Sequence, residues 1–365
     1  MQFSITREPL LEALQKVAGV IERRSTLPIL ANVLLRVRDG ELTLIGTDLE
    51  VELITAVPVE GENGETTVPA RKLLDICRLL PNGTTIQCQL KEGKTLALRA
   101  GRSRFALAAL GTENFPEFRL QGETTVARIT ADTLHRLLAK TMYAMALQDV
   151  RYYLNGLLLE LDQDHVRAVA SDGHRLAWCE AELGEPVAGL RQPILPRKGV
   201  QELFRLLEGE EPITLHLTAN AIRIELPDSV FSAKLIDGRY PDYRRVFPQE
   251  VNRVLTCDRQ ALKEAISRVS ILSNEQYRGI RLDISDNLLR LSAHNPDQEE
   301  AEEELEVWYQ GEPFTVGFNA AYLTDAVTHL DSETVRLSFA DPTLSCLAED
   351  PEDPRVRFII MPMRL

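Results

Sequence analysis

The sequence predicts an α+β fold of three repeated antiparallel-sheet domains, each carrying two helices. Three observations lead there. Apolar residues recur at i, i+3, i+4 and i+7 in six segments, the signature of one buried helix face apiece. Between these segments run short strands that alternate in polarity and are joined by tight turns. The whole pattern then returns three times at offsets of about 125 residues, far beyond the 20–50 residues of stacked solenoid repeats. Units of that size can each bury a core, and the expected boundaries are 1–124, 125–252 and 253–365.

Each copy opens with a strand and a first helix, in FSITREPLLEALQKV, VARITADTLHRLLAKT and RVLTCDRQALKEAISRV. Their apolar faces are Leu10, Ala13, Leu14 and Val17, then Leu134, Leu137, Leu138 and Thr141, then Leu262, Ala265, Ile266 and Val269. A hairpin follows, with Asp39-Gly40 and Asp286-Asn287 as turn pairs between alternating residues. Thr47-Asp48, Ser171-Asp172 and His294-Asn295 stand at matching places just beyond it. The second helix comes after VPARK, LPRKG and GFNAA. It presents Leu73, Ile76, Cys77 and Leu80, then Val200, Leu203, Phe204 and Leu207, then Leu323, Ala326, Val327 and Leu330. Strands TTIQCQL, PITLHL and TVRLSF lead to a final hairpin in each copy. Strand exceeds helix, which places the helices on one face of antiparallel sheet. Linkers are expected near Gly122–Thr125 and Glu250–Arg253.

Hydrophobic residues make up 44% and charged residues 26% of the 365, the balance of a soluble globular protein. No apolar run nears the ~18 residues of a membrane span, and MQFSITREPL lacks the regions of a signal peptide. The expected location is therefore the cytoplasm, at the nucleoid if DNA is the partner. Cys77, Cys88, Cys179, Cys257 and Cys346 are scattered and odd in number, without a C-x-x-C pair, which fits a reducing compartment better than a disulfide framework or zinc site.

A net charge of −14 argues against nucleic-acid binding by bulk attraction. The distribution is uneven, however. Helix segments and their flanks carry Arg7, Lys16, Arg23, Arg24, Arg71, Lys72 and Arg78, then Arg136, Lys140, Arg197, Lys198 and Arg205, then Arg259, Lys263 and Arg268. The last helix, FNAAYLTDAVTHL, has none. The plain alternative is a solvated helix face; repetition across copies favours one positive surface on an acidic body.

Several long segments resemble the bacterial DNA polymerase III beta subunit family, the sliding clamps. They are TLPILANVLL, GTDLEVEL, VPARKLLDICR, QDVRYYLNGLLLE, SDGHRLA, PRKGVQELFRLL, DGRYPDYRRV, ILSNEQYRGIRL, NPDQEEAEE and the terminal MPMRL. They fall in the family's order and span essentially the whole chain. The resemblance implies a head-to-tail dimeric ring of six domains, with helices lining a hole that encircles duplex DNA. It implies a non-catalytic processivity subunit that needs no cofactor or metal and tethers a polymerase, a clamp loader and repair proteins.

Residue by residue, the resemblance assigns sequence-independent DNA contact to Arg24, Arg71, Gln148, Tyr152, Tyr153, Arg197 and Lys198. It implies a pocket for short linear motifs at Leu154, Gly173, His174, Arg175, Leu176, Pro241, Arg245, Val246, Ile359, Met361, Pro362 and Met363. Methionine and apolar walls suit a groove that repacks around different guests. The implied dimer interface sets Lys72, Arg102, Arg104, Phe105 and Leu107 against Glu299, Glu300 and Glu303, with Ile271 and Leu272 adding apolar contact. Opposite charges at the two ends favour head-to-tail pairing over self-pairing.

Each assignment has a plainer alternative. FIIMPMRL reads equally as a last strand with a docked tail, the paired tyrosines as packing, and DQEEAEEELE as a charged edge strand that resists aggregation. Asp172 and His174 could pass for a metal or acid–base pair. With Asp48 and His294 they would make a metal-dependent hydrolase, but the repeat puts these residues in three domains, and no H-E-x-x-H or phosphate loop occurs. A peptide-binding scaffold that never meets DNA also stays open. The acidic stretch Glu349–Pro354 reads as a long mobile loop near the pocket, without an assigned role.

Overall fold

The computed structural model describes residues 1–22 and 26–364. The first copy holds β1 (Gln2–Thr6), α1 (Arg7–Ala18), β2 (Asn32–Arg38), β3 (Glu41–Thr47), β4 (Val51–Pro58), β5 (Glu60–Glu62) and β6 (Gly64–Pro69). It continues with α2 (Ala70–Leu79), β7 (Thr85–Lys91), β8 (Thr95–Ala100) and β9 (Ser103–Ala108). The second holds β10 (Thr125–Thr130), α3 (Ala131–Thr141), β11 (Gly156–Ser171), β12 (Arg175–Arg191) and β13 (Ile194–Pro196). After α4 (Arg197–Leu206) come β14 (Pro212–Leu217), β15 (Ala221–Leu226) and β16 (Ser229–Lys234). The third holds β17 (Arg253–Asp258), α5 (Arg259–Val269), β18 (Gly279–Ser285), β19 (Leu288–His294), β20 (Glu300–Glu306) and β21 (Phe314–Asn319). It closes with α6 (Ala320–Thr328), β22 (Thr334–Phe339), β23 (Cys346–Asp350) and β24 (Asp353–Ile360).

The helices form where the spacing predicts. Helix α1 buries Leu10, Ala13, Leu14 and Val17, and α5 buries Leu262, Ala265, Ile266 and Val269. The Asp258 carboxylate caps α5 by accepting the Ala261 N–H at 2.7 Å, and Asn319 caps α6, each worth about 1 kcal/mol over alanine. Asp39 and Gly40 both take positive φ, 50° and 83°, the conformation that a two-residue hairpin turn requires.

Two compact units emerge, and neither coincides with a copy. One comprises Met1–Asp132 with Gln201–Leu235, the other Thr133–Val200 with Ile236–Leu365, so the second copy is divided between them. The first unit contains a sheet of order β5-β1-β7-β8-β9 and another of order β10-β14-β15-β16-β4-β3-β2-β6. The second contains β13-β11-β12-β24-β23-β22-β17 and β20-β19-β18-β21. The sheets therefore run across the copy boundaries. The last strand of one copy pairs antiparallel with the strand that follows the Thr47-Asp48 or Ser171-Asp172 turn of the copy before it, β16 on β4 and β24 on β12.

These two seams are built alike. Phe231 lies opposite Leu53 in the first and Phe358 opposite Ala177 in the second. Both phenylalanines are fully buried, each contributing roughly 1.5–3 kcal/mol. A linker of matching sequence runs along each seam, Phe115-Pro-Glu-Phe-Arg119 and Tyr240-Pro-Asp-Tyr-Arg244. An ion pair of reversed polarity holds each linker to a strand. In the first, Arg36 of β2 reaches Glu117 at 3.4 Å; in the second, the buried Glu160 of β11 accepts from Arg244 at 2.7 Å and from the Tyr243 hydroxyl at 2.9 Å. Helix cations tie each copy to the next: Lys16 to Asp228 at 2.5 Å, Arg136 to Asp353, and Lys140 to Asp331 at 2.6 Å.

Those ties correct two expectations. Lys16, Arg136 and Lys140 are not free members of a basic face, because the adjacent copy supplies their carboxylates. The acidic stretch Glu349–Pro354 is no long loop either. It is a tight turn between β23 and β24, in which Asp350 accepts the Ser332 N–H and Asp353 holds Arg136 and Arg355.

Glu52, opposite Ser232 in the first seam, is only 2% exposed. Burial pushes its carboxyl up from 4.5 to about 7, against the Phe118 N–H it accepts and the Arg223 charge; Glu117 adds to the rise. The folded chain thus binds this proton more tightly than the unfolded chain between pH 4.5 and 7, so this contribution to stability is full below about pH 4.5 and falls as pH rises to about 7. Glu52→Gln should flatten that dependence, altering the difference in unfolding free energy between variant and parent by on the order of 3 kcal/mol across the window. Denaturant titrations at pH 4.5 and 7.5 measure it; parallel curves for the two proteins would refute the assignment.

Candidate functional site

A cavity of 810 Å³ lies along the second seam within the second unit. Its floor is apolar because the seam itself is: Leu154, Leu176 and Ile359 are each at most 5% exposed and share one core cluster with Tyr240 and Tyr243. One wall is the turn Ser171-Asp172-Gly173. The Ser171 hydroxyl accepts the Gly173 N–H at 3.1 Å, and Asp172 Oδ1 accepts the N–H groups of His174 and Arg175 at 2.9 and 3.1 Å. Gly173 has φ +87°, a conformation that glycine adopts without strain, and a Cβ there would come within 2.6 Å of the end of the Arg151 side chain. The opposite wall is the linker from Tyr240 to Asn252, with Val246 exposed, and Met361 closes one end.

Arg175 is the rigid polar group of the groove. It donates to Asp172 at 3.1 Å, to Asp325 at 2.5 Å and to the Tyr143 carbonyl at 3.0 Å. Its guanidinium also lies 4.6 Å from the Tyr322 ring centroid and 5.3 Å from that of Tyr143, a stacked cation worth roughly 0.5–2 kcal/mol. Arg245 is exposed and pairs with Asp242. A deep apolar floor with few fixed polar groups at the rim is the architecture of a binding site.

Of the expected pocket residues, Leu154, Gly173, Arg175, Leu176, Pro241, Arg245, Val246, Ile359 and Met361 line the cavity. His174, Pro362 and Met363 do not. The His174 carbonyl accepts the Met361 N–H, its ring stacks near Tyr322, and Met363 pairs with Gly317. These residues fasten the tail rather than form the wall. Sequence reasoning missed Arg151, Tyr240, Phe247 and Leu344. The aromatic-Pro linker could have pointed to Tyr240 and Phe247, since buried aromatics seek a seam; nothing marks Leu344.

The expected DNA residues divide. Tyr152 is 56% exposed, and Gln148 is exposed at φ +57°. Tyr153 instead packs on the groove's core cluster. Arg197 donates to the Met145 and Ala146 carbonyls, which fixes the base of that loop. Arg71 and Lys198 are partly exposed, and Arg24 lies outside the described residues. Arg7 and Arg205 are bound to neighbouring carbonyls, so the basic face is narrower than the sequence implies.

Strands β9 and β20 are sheet edges. On and beside β9, Arg102 and Arg104 are exposed, Phe105 is half-buried and Leu107 is buried, and Lys72 is exposed on α2. On β20, Glu300 is exposed and Glu303 binds Arg268 at 2.5 Å, while the Glu299 carboxylate accepts from Asn295. Ile271 is 76% exposed and Leu272 half-buried.

Nothing assembled here resembles a reaction centre. Asp172 uses both carboxylate oxygens on its own turn and Arg175. All five cysteines are free and buried. Burial pushes Cys77 and Cys257 up to about 12 and Cys179 to about 11, and raises Cys88 and Cys346 further. Among the described residues, no three His, Cys, Asp or Glu side chains gather as metal ligands, and no helix is long and apolar enough to cross a membrane.

Three family models match in succession: the DNA polymerase III beta subunit N-terminal domain over residues 1–119, central domain over 128–242 and C-terminal domain over 244–364. The chain belongs to the DNA polymerase III beta subunit family. Among its relatives, the beta sliding clamp of Vibrio cholerae is 47% identical and that of Escherichia coli 45%, each match covering all of both chains. A DNA polymerase sliding clamp from Pseudomonas aeruginosa, crystallised with a ligand, superposes with a TM-score of 0.97 at 47% identity over the full length of both chains. Another structure from that organism, at 48% identity and the same TM-score, is of a sliding clamp bound to griselimycin.

Proposed function

We propose that two copies of this chain close head to tail into a ring around duplex DNA and hold a polymerase there. Family membership supplies the reading, and one observation on this chain carries it: the third seam is half-made at each end. β4 and β12 follow the turns at Thr47-Asp48 and Ser171-Asp172, and β20, after His294-Asn295, is the third copy's equivalent. β16 and β24 are last strands, and β9 is the first copy's. Each of the other four pairs with a strand of a neighbouring copy, whereas β20 and β9 pair only within their own copy, with β19 and β8, and each keeps one open edge among the described residues. An open edge attracts a complementary strand, and here the complement is a second copy.

The internal seams give the register. Phe231 faces Leu53 and Phe358 faces Ala177, so Phe105 belongs opposite Ala301 of the second copy. Arg104 then falls opposite Glu302, with Glu300 and Glu304 on its diagonals. Charge as well as pattern sets the direction, since two β9 edges would repel. Arg102→Glu with Arg104→Glu should convert the dimer to monomer in sedimentation or mass photometry at micromolar concentration; an intact dimer would refute this pairing.

A closed ring holds DNA by topology, so the protein needs only weak phosphate attraction, which carries no base information and permits sliding. Arg24, Arg71, Gln148, Tyr152, Arg197 and Lys198 serve as that diffuse contact, with Tyr153 supporting the loop from beneath. The third copy contributes least, because α6 carries no cation. Alanine at Arg24, Arg197 and Lys198 together should leave the dimer intact, weaken retention on DNA and lower the salt slope by up to about three charges. An unchanged slope would sink the assignment.

The groove of the second seam takes short linear motifs with apolar anchors, and through it the polymerase, the loader that opens the ring and repair proteins compete. The ring has no catalytic role of its own, and it works in the cytoplasm at the nucleoid. Deleting Met361–Leu365 removes an end wall of the groove, and should abolish binding of a fluorescent peptide without altering dimer mass. Retained affinity would move the site elsewhere.

A further inference from the structure

The first seam carries a second groove, 450 Å³, lined among others by Thr47, Leu49, Pro116, Phe118 and Lys234. It is the internal copy of the peptide groove. Its turn is held by the same bonds: the Thr47 hydroxyl accepts the Leu49 N–H at 3.1 Å, and Asp48 Oδ1 accepts the N–H groups of Glu50 and Val51 at 2.9 and 2.7 Å. Ser171 and Asp172 do the same for Gly173, His174 and Arg175. The linker motif is repeated as well, Phe115-Pro-Glu-Phe for Tyr240-Pro-Asp-Tyr.

Two positions differ in a way that matters to a guest. Where the second turn has Gly173 at φ +87°, the first has Leu49 at φ +78°. A branched side chain rarely adopts that conformation, and it persists only where the surroundings impose it. Here the turn imposes it, and the leucine side chain lies along the groove, 40% exposed. Where the second seam has Leu176 opposite Ile359, both lining its groove, the first has the buried Glu52 opposite Ser232, a polar pair that lies beneath the first groove without lining it. An apolar anchor entering there would meet Leu49 in its path, and seating it as deep as the floor of the second groove would bring it against the buried Glu52 carboxyl and Ser232.

We infer that Leu49 and Glu52 are specificity-determining residues that close the first-seam groove to the peptides the second-seam groove accepts, so that each chain offers one docking place and a dimer two. The inference rests on the peptide-groove reading above. It makes the strained leucine a plug: the turn is retained as seam architecture, and the side chain at its third position decides whether the seam is a wall or a receptor.

The test is the stoichiometry of a labelled peptide with two adjacent apolar anchors, titrated calorimetrically into the full chain and into Leu49→Gly/Glu52→Leu. The native chain should take one peptide per chain and the double variant two, with the second site surviving deletion of Met361–Leu365. One site in both proteins, with dimer mass retained, would overturn the inference and leave the parent reading standing. Two sites on the native chain would also overturn it. No binding to the native chain would remove the parent reading and this inference together. Should the double variant fail to fold, Leu49→Gly alone decides, because it relieves the positive φ and keeps the Phe118 hydrogen bond: a weaker second site supports the plug, and its absence refutes it.

Discussion

The antiparallel pairing of each copy's last strand with the preceding copy's hairpin is the constraint on which the rest depends. It carries the sheets across the copy boundaries, and it places the linker where a carboxylate or guanidinium of a strand can hold it. The groove is a by-product of the same pairing. A cleft between a strand end, a turn and a linker exists wherever a seam exists, and its chemistry depends on the few residues at the seam's rim. Fold, groove and unpaired edges are thus three consequences of one joint.

Much of this was legible in the sequence. The six helices and most strands follow from apolar spacing, because a buried face leaves a period that no other constraint erases. The groove residues Leu154, Leu176 and Ile359 were identified through resemblance, and their burial explains why they are apolar. The seams were not legible. Strand order is set by pairing over separations of more than a hundred residues, such as Phe231 with Leu53, and local periodicity carries no trace of the partner. For the same reason Lys16, Arg136 and Lys140 read as a solvent-facing basic surface, since the carboxylates that claim them lie on distant turns. Asp350 and Asp353 misled in the opposite direction: a run of acids and prolines resembles a loop until each carboxylate is found capping a backbone or holding an arginine.

The two linker clamps show how repeated copies diverge without losing their joint. Arg36 with Glu117 and Glu160 with Arg244 tie the same strand position to the linker with the charges exchanged, the linker partners standing two places apart in the repeated motif. Either polarity satisfies the geometry, so the joint constrains complementarity and leaves identity free. Glu117 and Arg244 are each about half exposed, and pairs so open to solvent do little for net stability; their value lies in fixing which segment lies where. The first seam adds an ionisable group at its centre and the second an apolar contact, so two joints of one design respond differently to their surroundings.

The five thiols have a consequence for how long such an assembly can remain in use. Each is buried and held in its protonated form, and the thiol, unlike the thiolate, is a poor nucleophile toward peroxide or another sulfur. An oxidative episode therefore finds no ready sulfur on which to weld two chains together. The joint proposed between β9 and the β20 of a second copy is thus left to strand pairing, charge and apolar contact, with no disulfide among these five thiols to lock it.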